Sequence, residues 1–387
     1  MTLQTEVAIV GGGLIGCMTA YYLRKRGRRV AVLERGVVGG ESSGVSFGSL
    51  RLQGQHGDDL ALALRAQEIW QGVEAELGES LEFAQQGHVH LALTEEHLHR
   101  LDQNAAALTA AGLPPLLLDG PEARRRWPFL GGAVRAASFS ARDAVVNPRL
   151  VAPAFARAAA RLGVPIRERA EVTAIERANG NFVLHGAFGS VTSEILVNAA
   201  GVWGRQLAAW FGEDIPCFAA GPAEMVTEPI PPFLAPVMHV VDGSVIFRQT
   251  RSGNLVIGGH PRMPVDAGTR RARVPTEKIT TNLTRLVAAV PRMSAYHVIR
   301  TWTGIEGYLP DMMPIVGPSA TTPALFHACA FSGHGLQLGP AVATALTELV
   351  VHGGTDMPIA SIGIGRLARA QAVGTLAEEF QPGLADR

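Results

Sequence analysis

Apolar and polar positions change rhythm several times along this chain, and the first change is the sharpest. Residues 6–10 run apolar into three consecutive glycines, residues 14–23 recur at helical spacing, and residues 30–33 form a second apolar run that stops at Glu34. That order predicts strand, tight turn, helix and strand. Leu60, Leu62, Leu64, Ile69, Trp70 and Val73 predict an amphipathic helix over 58–78. Residues 88–93 alternate as a strand, and Thr94 is placed to cap a following helix. Residues 114–131, rich in proline and glycine, read as loop. A helix over 148–162 should end at Gly163.

Strands are expected at 170–177, 181–185 and 195–199. Strand-like alternation returns at 217–229 and 236–260, with a turn at 251–254. A helix over 275–290, a buried strand over 325–331 and an apolar helix over 338–351 complete the pattern. The stretch 364–387 reads as a surface arm or a partner contact. No repeat or low-complexity segment is visible.

The glycines of the first turn have distinct uses. Gly11 allows the tight exit from the strand, Gly13 lets backbone approach a pyrophosphate, and Gly16 lets the helix pack closely on the sheet. The helix N-terminus offers unpaired N–H groups to phosphates. Glu34, 18 residues after Gly16, suits a ribose diol. The context around G-x-G-x-x-G therefore points to a dinucleotide, against the plainer reading of an ordinary glycine-rich βαβ turn.

Composition narrows the class. The chain has 387 residues, 47% of them apolar and 18% charged, with zero formal net charge. That length calls for two domains. Balanced charge gives no field for nucleic acid or an anionic membrane. The absence of any eighteen-residue apolar run predicts no membrane span. Cys17, Cys217 and Cys329 are scattered, which fits a reducing, cytoplasmic setting without a zinc or iron–sulfur site in this chain. His88 and His90 fall on a strand, and His97 and His99 on the next helix. No acid or cysteine completes a metal set at a recognisable spacing, so no metal is expected and these pairs read as half-exposed surface residues.

Three features favour FAD over NAD. Ser42 and Ser43 follow Glu34 closely enough for a second loop over the pyrophosphate. Residues 195–201 form a later strand running into small residues that a nucleotide can lie against. A third glycine-rich strand–turn–helix, 331–339, can aim a helix N-terminus at the flavin edge that becomes negative on reduction.

With these segments the chain resembles the D-amino-acid-oxidase-type family of FAD-dependent oxidoreductases. That family includes sarcosine and glycine oxidases, D-amino-acid dehydrogenases and the flavoprotein subunits of proline, hydroxyproline and opine dehydrogenases. Six segments carry the resemblance in order across nearly the whole chain: the fingerprint, then 197–203, 247–259, 302–304, 310–317 and 331–335. Residues 43–55 are most similar to subunits of multi-component amino-acid dehydrogenases.

The resemblance implies an α/β fold. A discontinuous Rossmann-like FAD domain would span 1–80, 146–215 and 310–387, and a substrate domain with a mostly antiparallel sheet would span 81–145 and 216–309. It implies hydride transfer from a carbon bearing an amine, in an amino, imino or opine-like acid, to FAD. The cofactor contacts it implies are Gly11, Gly13, Leu14, Ile15, Gly16, Glu34, Arg35, Ser42, Ser43, Val172, Ala200, Gly201, Gly333, His334, Gly335, Leu336 and Gln337. The substrate-side candidates are Arg51, Arg248, Glu306, Tyr308 and His334.

Departures from the better-known relatives sharpen this. Where those oxidases clamp a carboxylate with an arginine after the Trp-x-Gly turn, this chain has Glu306. A glutamate there suits an amine, a guanidinium or proton transfer, unless it only pairs with Arg300. Arg300 also stands where monomeric sarcosine oxidases attach flavin through cysteine, which implies non-covalent FAD. Those oxidases use a lysine near residues 254–258, whereas Lys25 and Lys278 are the only lysines here and lie elsewhere in sequence.

A dehydrogenase passing electrons to a quinone, or to additional flavin or iron–sulfur subunits, is therefore expected ahead of an oxygen-using oxidase. Arg51 is read as approaching flavin or substrate, or else as a surface ion pair. Arg248 faces pocket or solvent, and Tyr308 caps the pocket or merely packs. Two alternatives stay open. One is a 2-hydroxy-acid dehydrogenase with His260 or His334 as base, and the other is a non-catalytic flavoprotein.

Overall fold

The structure, a computed structural model, describes residues 2–367 except His56 and Pro261. Residues 368–387 of the expected C-terminal arm lie outside the described residues. The opening strand, Thr2–Val10, pairs in parallel with Val30–Leu33 on one side and Gly189–Asn198 on the other. Its sheet runs in the order Ile315–Pro318, Leu325–Cys329, Gly189–Asn198, Thr2–Val10, Val30–Leu33, Ile166–Arg167. An antiparallel hairpin, Ala174–Ala178 with Asn181–Gly186, extends it.

Helix Leu14–Lys25 returns close against this sheet because position 16 is glycine. A Cβ there would stand 1.9 Å from the Gly11 carbonyl oxygen. Helices Gly57–Leu77, Pro148–Arg161 and Gly335–His352 pack with it around Met18, Trp70, Phe155 and Leu346. Trp70 is fully buried, and its indole N–H donates to the Gln337 carbonyl at 3.1 Å, which satisfies its one polar atom.

A second sheet takes the order Val298–Trp302, Glu224–Pro229, Asn254–Gly258, Ile246–Gln249, Val237–Val240, His88–Ala92, Ala136–Ser140, Leu116–Asp119. It is antiparallel except where Val237–Val240 runs parallel to His88–Ala92. Side chains alternate between its faces. Val89, Leu91, Met225, Met238, Phe247 and Ile257 fill one face, covered by helix Thr276–Ala289. The alternate positions His88, His90, His239, Arg248 and Glu224 therefore fall on the opposite face. That face looks polar by pattern, yet Glu224 and all three histidines on it are buried.

The elements follow the sequence pattern with a few departures. The 114–131 segment is not loop throughout, since it holds the strand Leu116–Asp119 and the helix Gly120–Arg126. Asp119 and Glu122 form a reciprocal capping box, with bonds of 2.7 and 3.0 Å, and Pro121 sits in the first turn, where no N–H is missed. The last long helix starts at Gly335 rather than 338, and the strand expected at 195–199 extends back to Gly189. Thr94 caps its helix as anticipated, accepting from the His97 amide at 3.2 Å.

Candidate active site

A groove follows the end of the first sheet where the glycine turn lies. It is lined by Gly11, Gly13, Leu14, Ile15, Glu34, Arg35, Ser42, Ser43, Val172, Ala200, Gly201, Gly333, Gly335 and Leu336, all expected cofactor contacts. Three other expected contacts fall elsewhere. Gly16 lies beneath the turn, and His334 and Gln337 line a neighbouring chamber.

The groove is shaped largely by backbone. Gly11 holds φ +113°, and a Cβ on it would meet the Ala199 carbonyl oxygen at 2.3 Å, so the two chain segments touch through bare main chain. The Glu34 carboxylate accepts from the amides of Gly12 at 2.7 Å and Gly36 at 2.6 Å, which fixes its direction at one end. Ser43 Oγ accepts from the Leu14 amide at 3.0 Å, beside the helix start. Arg35 stacks its guanidinium 3.4 Å from the Trp203 ring centroid. Oriented amides, hydroxyls and a fixed carboxylate along one continuous groove fit a dinucleotide.

Past Ser46, Glu306, Gly333 and Leu336 the groove meets the chamber, whose walls include Arg51, Glu224, His239, His260, Arg262 and His334. The sheet's inner face supplies Glu224 and His239, and segment 46–55 supplies Arg51. The turn before the last helix supplies His334. Glu224 has room because its neighbour is Gly258, where a Cβ would come within 2.8 Å of Oε2. Burial raises the Glu224 carboxyl to about 8, with Arg262 opposing, Glu306 adding and Arg248 opposing. Its Oε2 has no hydrogen-bond partner among the described residues. Burial holds His334 down at about 4, helped by the charges of Arg51 and Arg262.

Glu306 does not pair with Arg300, which is exposed on strand Val298–Trp302. It accepts a hydrogen bond from Tyr308 Oη and lies 3.8 Å from Arg262 Nε, which itself donates to Tyr308 Oη at 2.7 Å. Burial opposes the Arg262 charge, but Tyr308, Glu306 and Glu224 together raise its pKa above the ordinary value. Tyr308 is 2% exposed and stands behind this pair, stacked on Phe218.

Arg248 also stands back from the chamber wall. Its Nε donates to the Phe47 carbonyl at 2.8 Å and so ties the loop before Arg51 to the second sheet. Arg51 is not in a surface ion pair. It lines the chamber, where burial lowers its pKa and Asp143 and Arg262 act on it with opposite signs.

Several site residues escaped the sequence reading. Glu224 and Arg262 carry no local motif. His88, His90 and His97 are 0, 1 and 6% exposed rather than half-exposed, and only His99 of that group faces solvent. Lys278, remote in sequence, is buried on helix Thr276–Ala289. Its Nζ has no hydrogen-bond partner among the described residues, and burial, with Arg262, lowers its pKa to about 8. It also acts electrostatically on His260, a chamber residue.

A strand–glycine turn–helix groove opening into a mixed-charge chamber defines a dinucleotide-dependent oxidoreductase. A family model described as FAD dependent oxidoreductase matches residues 6–349, and the chain belongs to that family; FAD is its cofactor. It is 29% identical to glycine oxidase of Geobacillus kaustophilus, over 95% of this chain and 98% of that protein. It is 26% identical to mitochondrial dimethylglycine dehydrogenase of Rattus norvegicus over 90% of this chain, but spans only 43% of that relative. The fold matches L-proline dehydrogenase from P. horikoshii with a TM-score of 0.87 and 26% identity, covering 96% of this chain and 99% of that one.

Proposed function

We propose that this protein oxidises the CH–NH bond of a small amino or imino acid, with opine-like acids in range, using non-covalently held FAD. Bound FAD supplies the hydride acceptor. The observation that carries the reading is Arg51, a cation on the chamber wall with no ion pair among the described residues. A guanidinium so placed holds a substrate carboxylate with charge-assisted hydrogen bonds. Arg262 is less available because Tyr308 and Glu306 already engage it.

Glu224, kept uncharged by burial near neutral pH, offers an unpartnered oxygen to the substrate nitrogen. Glu306 lies where the two cavities meet and suits the same nitrogen's positive form. The hydroxy-acid alternative needs a base for the alcohol proton. His334 at about 4, and His260 held well below its ordinary value by burial, are weak bases. Anaerobic mixing of the holoenzyme with panels of amino, imino and hydroxy acids, read by bleaching of flavin absorbance, tests this. Bleaching by hydroxy acids alone, or by none of the panel, would sink the proposal.

For the electron acceptor, the reading is a dehydrogenase that serves a partner subunit or a quinone. The rat relative, a dehydrogenase by name, supports it, and so does a 25% identical relative named sarcosine oxidase subunit beta. A separate flavin or iron–sulfur chain is the partner proposed here. One observation favours the second reading, an oxygen-using oxidase: Lys278 is buried, unpartnered and within electrostatic reach of chamber residues. Oxygen consumption by the isolated holoenzyme separates the two. Slow turnover with oxygen but fast turnover with a dye acceptor marks the dehydrogenase. Fast oxygen turnover that falls in Lys278→Met marks the oxidase.

A further inference from the structure

We propose that His88, His90 and His239 form a binding site for one divalent transition-metal ion, of the class imidazole favours, with Zn2+ as its probe. The site goes beyond the flavin chemistry and does not rest on it. His88 and His90 are two apart on one strand and so share a face. His239, on the parallel neighbour, is in direct register with His90. One ligand nitrogen from each residue lies within 4.8 Å of the others, and all three side chains are buried.

His90 Nε2 and His239 Nδ1 stand 3.3 Å apart. That matches the edge of a tetrahedron with metal–nitrogen bonds of about 2.0–2.1 Å, an edge of about 3.3–3.4 Å. Among the described residues, neither ring nitrogen of His88 has a hydrogen-bond partner. A fully buried imidazole left unsatisfied at both ends calls for a missing ligand.

The outer groups support the same assignment. Asp143 Oδ2 lies 3.9 Å from His88 Nδ1, and Asn104 Nδ2 lies 3.4 Å from His90 Nδ1. A carboxylate on the far nitrogen orients a ligating histidine, and Asn104 does the same with its amide turned so that Oδ1 accepts from His90 Nδ1–H, leaving His88 Nε2 and His90 Nε2 for the metal. Burial keeps the rings uncharged, with His90 lowered to about 3. Arg51 opposes a cation here, and Asp143 offsets it. His239 alone of the three lines the chamber, so a fourth ligand enters from that side.

The test uses untagged holoenzyme, stripped with a chelator, dialysed against Zn2+ and freed of loose metal. We expect about one zinc per chain, lost in His88→Ala and His239→Ala variants that still carry one FAD each. Asn104→Ala should weaken binding by roughly 10–100-fold. If the variants fail to fold, X-ray absorption on the wild-type chain decides: about three imidazole nitrogens at about 2.0–2.1 Å support the site. Wild-type protein that retains no zinc, zinc without imidazole ligands, or full loading in both folded variants overturns it.

Discussion

The groove and the chamber meet at four shared residues, yet they are built in opposite ways. The groove is fitted for recognition by backbone, at Gly11, Gly13 and the turn before Gly335, with Glu34 held in place by two amides. Such recognition needs residues that remove side chains, and needs them at fixed short spacings. The chamber is walled by side chains. Arg51, Glu224, His239, Arg262, Glu306 and His334 come from segments spread over nearly 300 residues. Each arrives on a different strand, loop or turn, and only the tertiary fold brings them together.

That difference is open to direct attack, and the largest effect belongs to the groove. Gly11→Ala adds a Cβ 2.3 Å from a backbone oxygen, at a φ that L-residues avoid. Soluble protein from this variant should retain less than about a tenth of the wild-type FAD, since a shift of about 1.4 kcal/mol is already tenfold. Stoichiometric FAD in Gly11→Ala would break the account of the groove. Arg51→Met should do the reverse, keeping one FAD per chain while kcat/KM for the best amino acid falls roughly 10–100-fold. That range corresponds to losing a hydrogen bond to a charged group, about 1.5–3 kcal/mol. A variant that lost FAD but kept kcat/KM per flavin would place Arg51 with the groove instead.

The same contrast explains what the chain disclosed before folding. The βαβ turn was legible because glycine spacing and a terminal acid are local facts. The order of later segments extended it to FAD. The chamber was legible only where a residue sat inside a family segment, as Arg51 and His334 do, or next to one, as Glu306 does.

Glu306 shows the limit. Its presence was readable, but its partner was not, because Arg262 reaches it from a strand end 44 positions earlier while the nearer Arg300 faces solvent. The histidines failed for a different reason. Alternation at 88–93 reports that the two faces differ in polarity, and a polar face is ordinarily wet. Here segment 49–55 covers it, with buried Gln53 donating to the His88 carbonyl at 2.6 Å, and no local pattern announces such a cover. Lys278 was discounted on sequence distance, and a helix packed on the second sheet removed that distance.

The smallest expected effect concerns the chamber's stored electrostatics, and its sign is fixed. The Glu224 carboxyl titrates near 4.5 when unfolded and near 8 in the fold, because burial disfavours its charged form. A raised acid costs nothing below 4.5, where both states are protonated. Stability then declines as pH rises from about 4.5 to about 8, because only the unfolded chain releases the proton freely.

Buried His334 pulls the other way, losing stability as pH falls below its ordinary 6.5 toward about 4. The whole-protein profile mixes the two, so the comparison must be with Glu224→Gln, which cannot ionise. Relative to that variant, wild-type Tm should drop by a few degrees between pH 5 and pH 9, on the order of 1 °C for each kcal/mol in a chain of 387 residues. The difference should vanish if bound substrate supplies the missing partner to Oε2. A pH-independent offset between the two proteins would mean that Glu224 is not held protonated in the chamber. Its unpartnered oxygen would then be a packing feature rather than a contact for the substrate nitrogen.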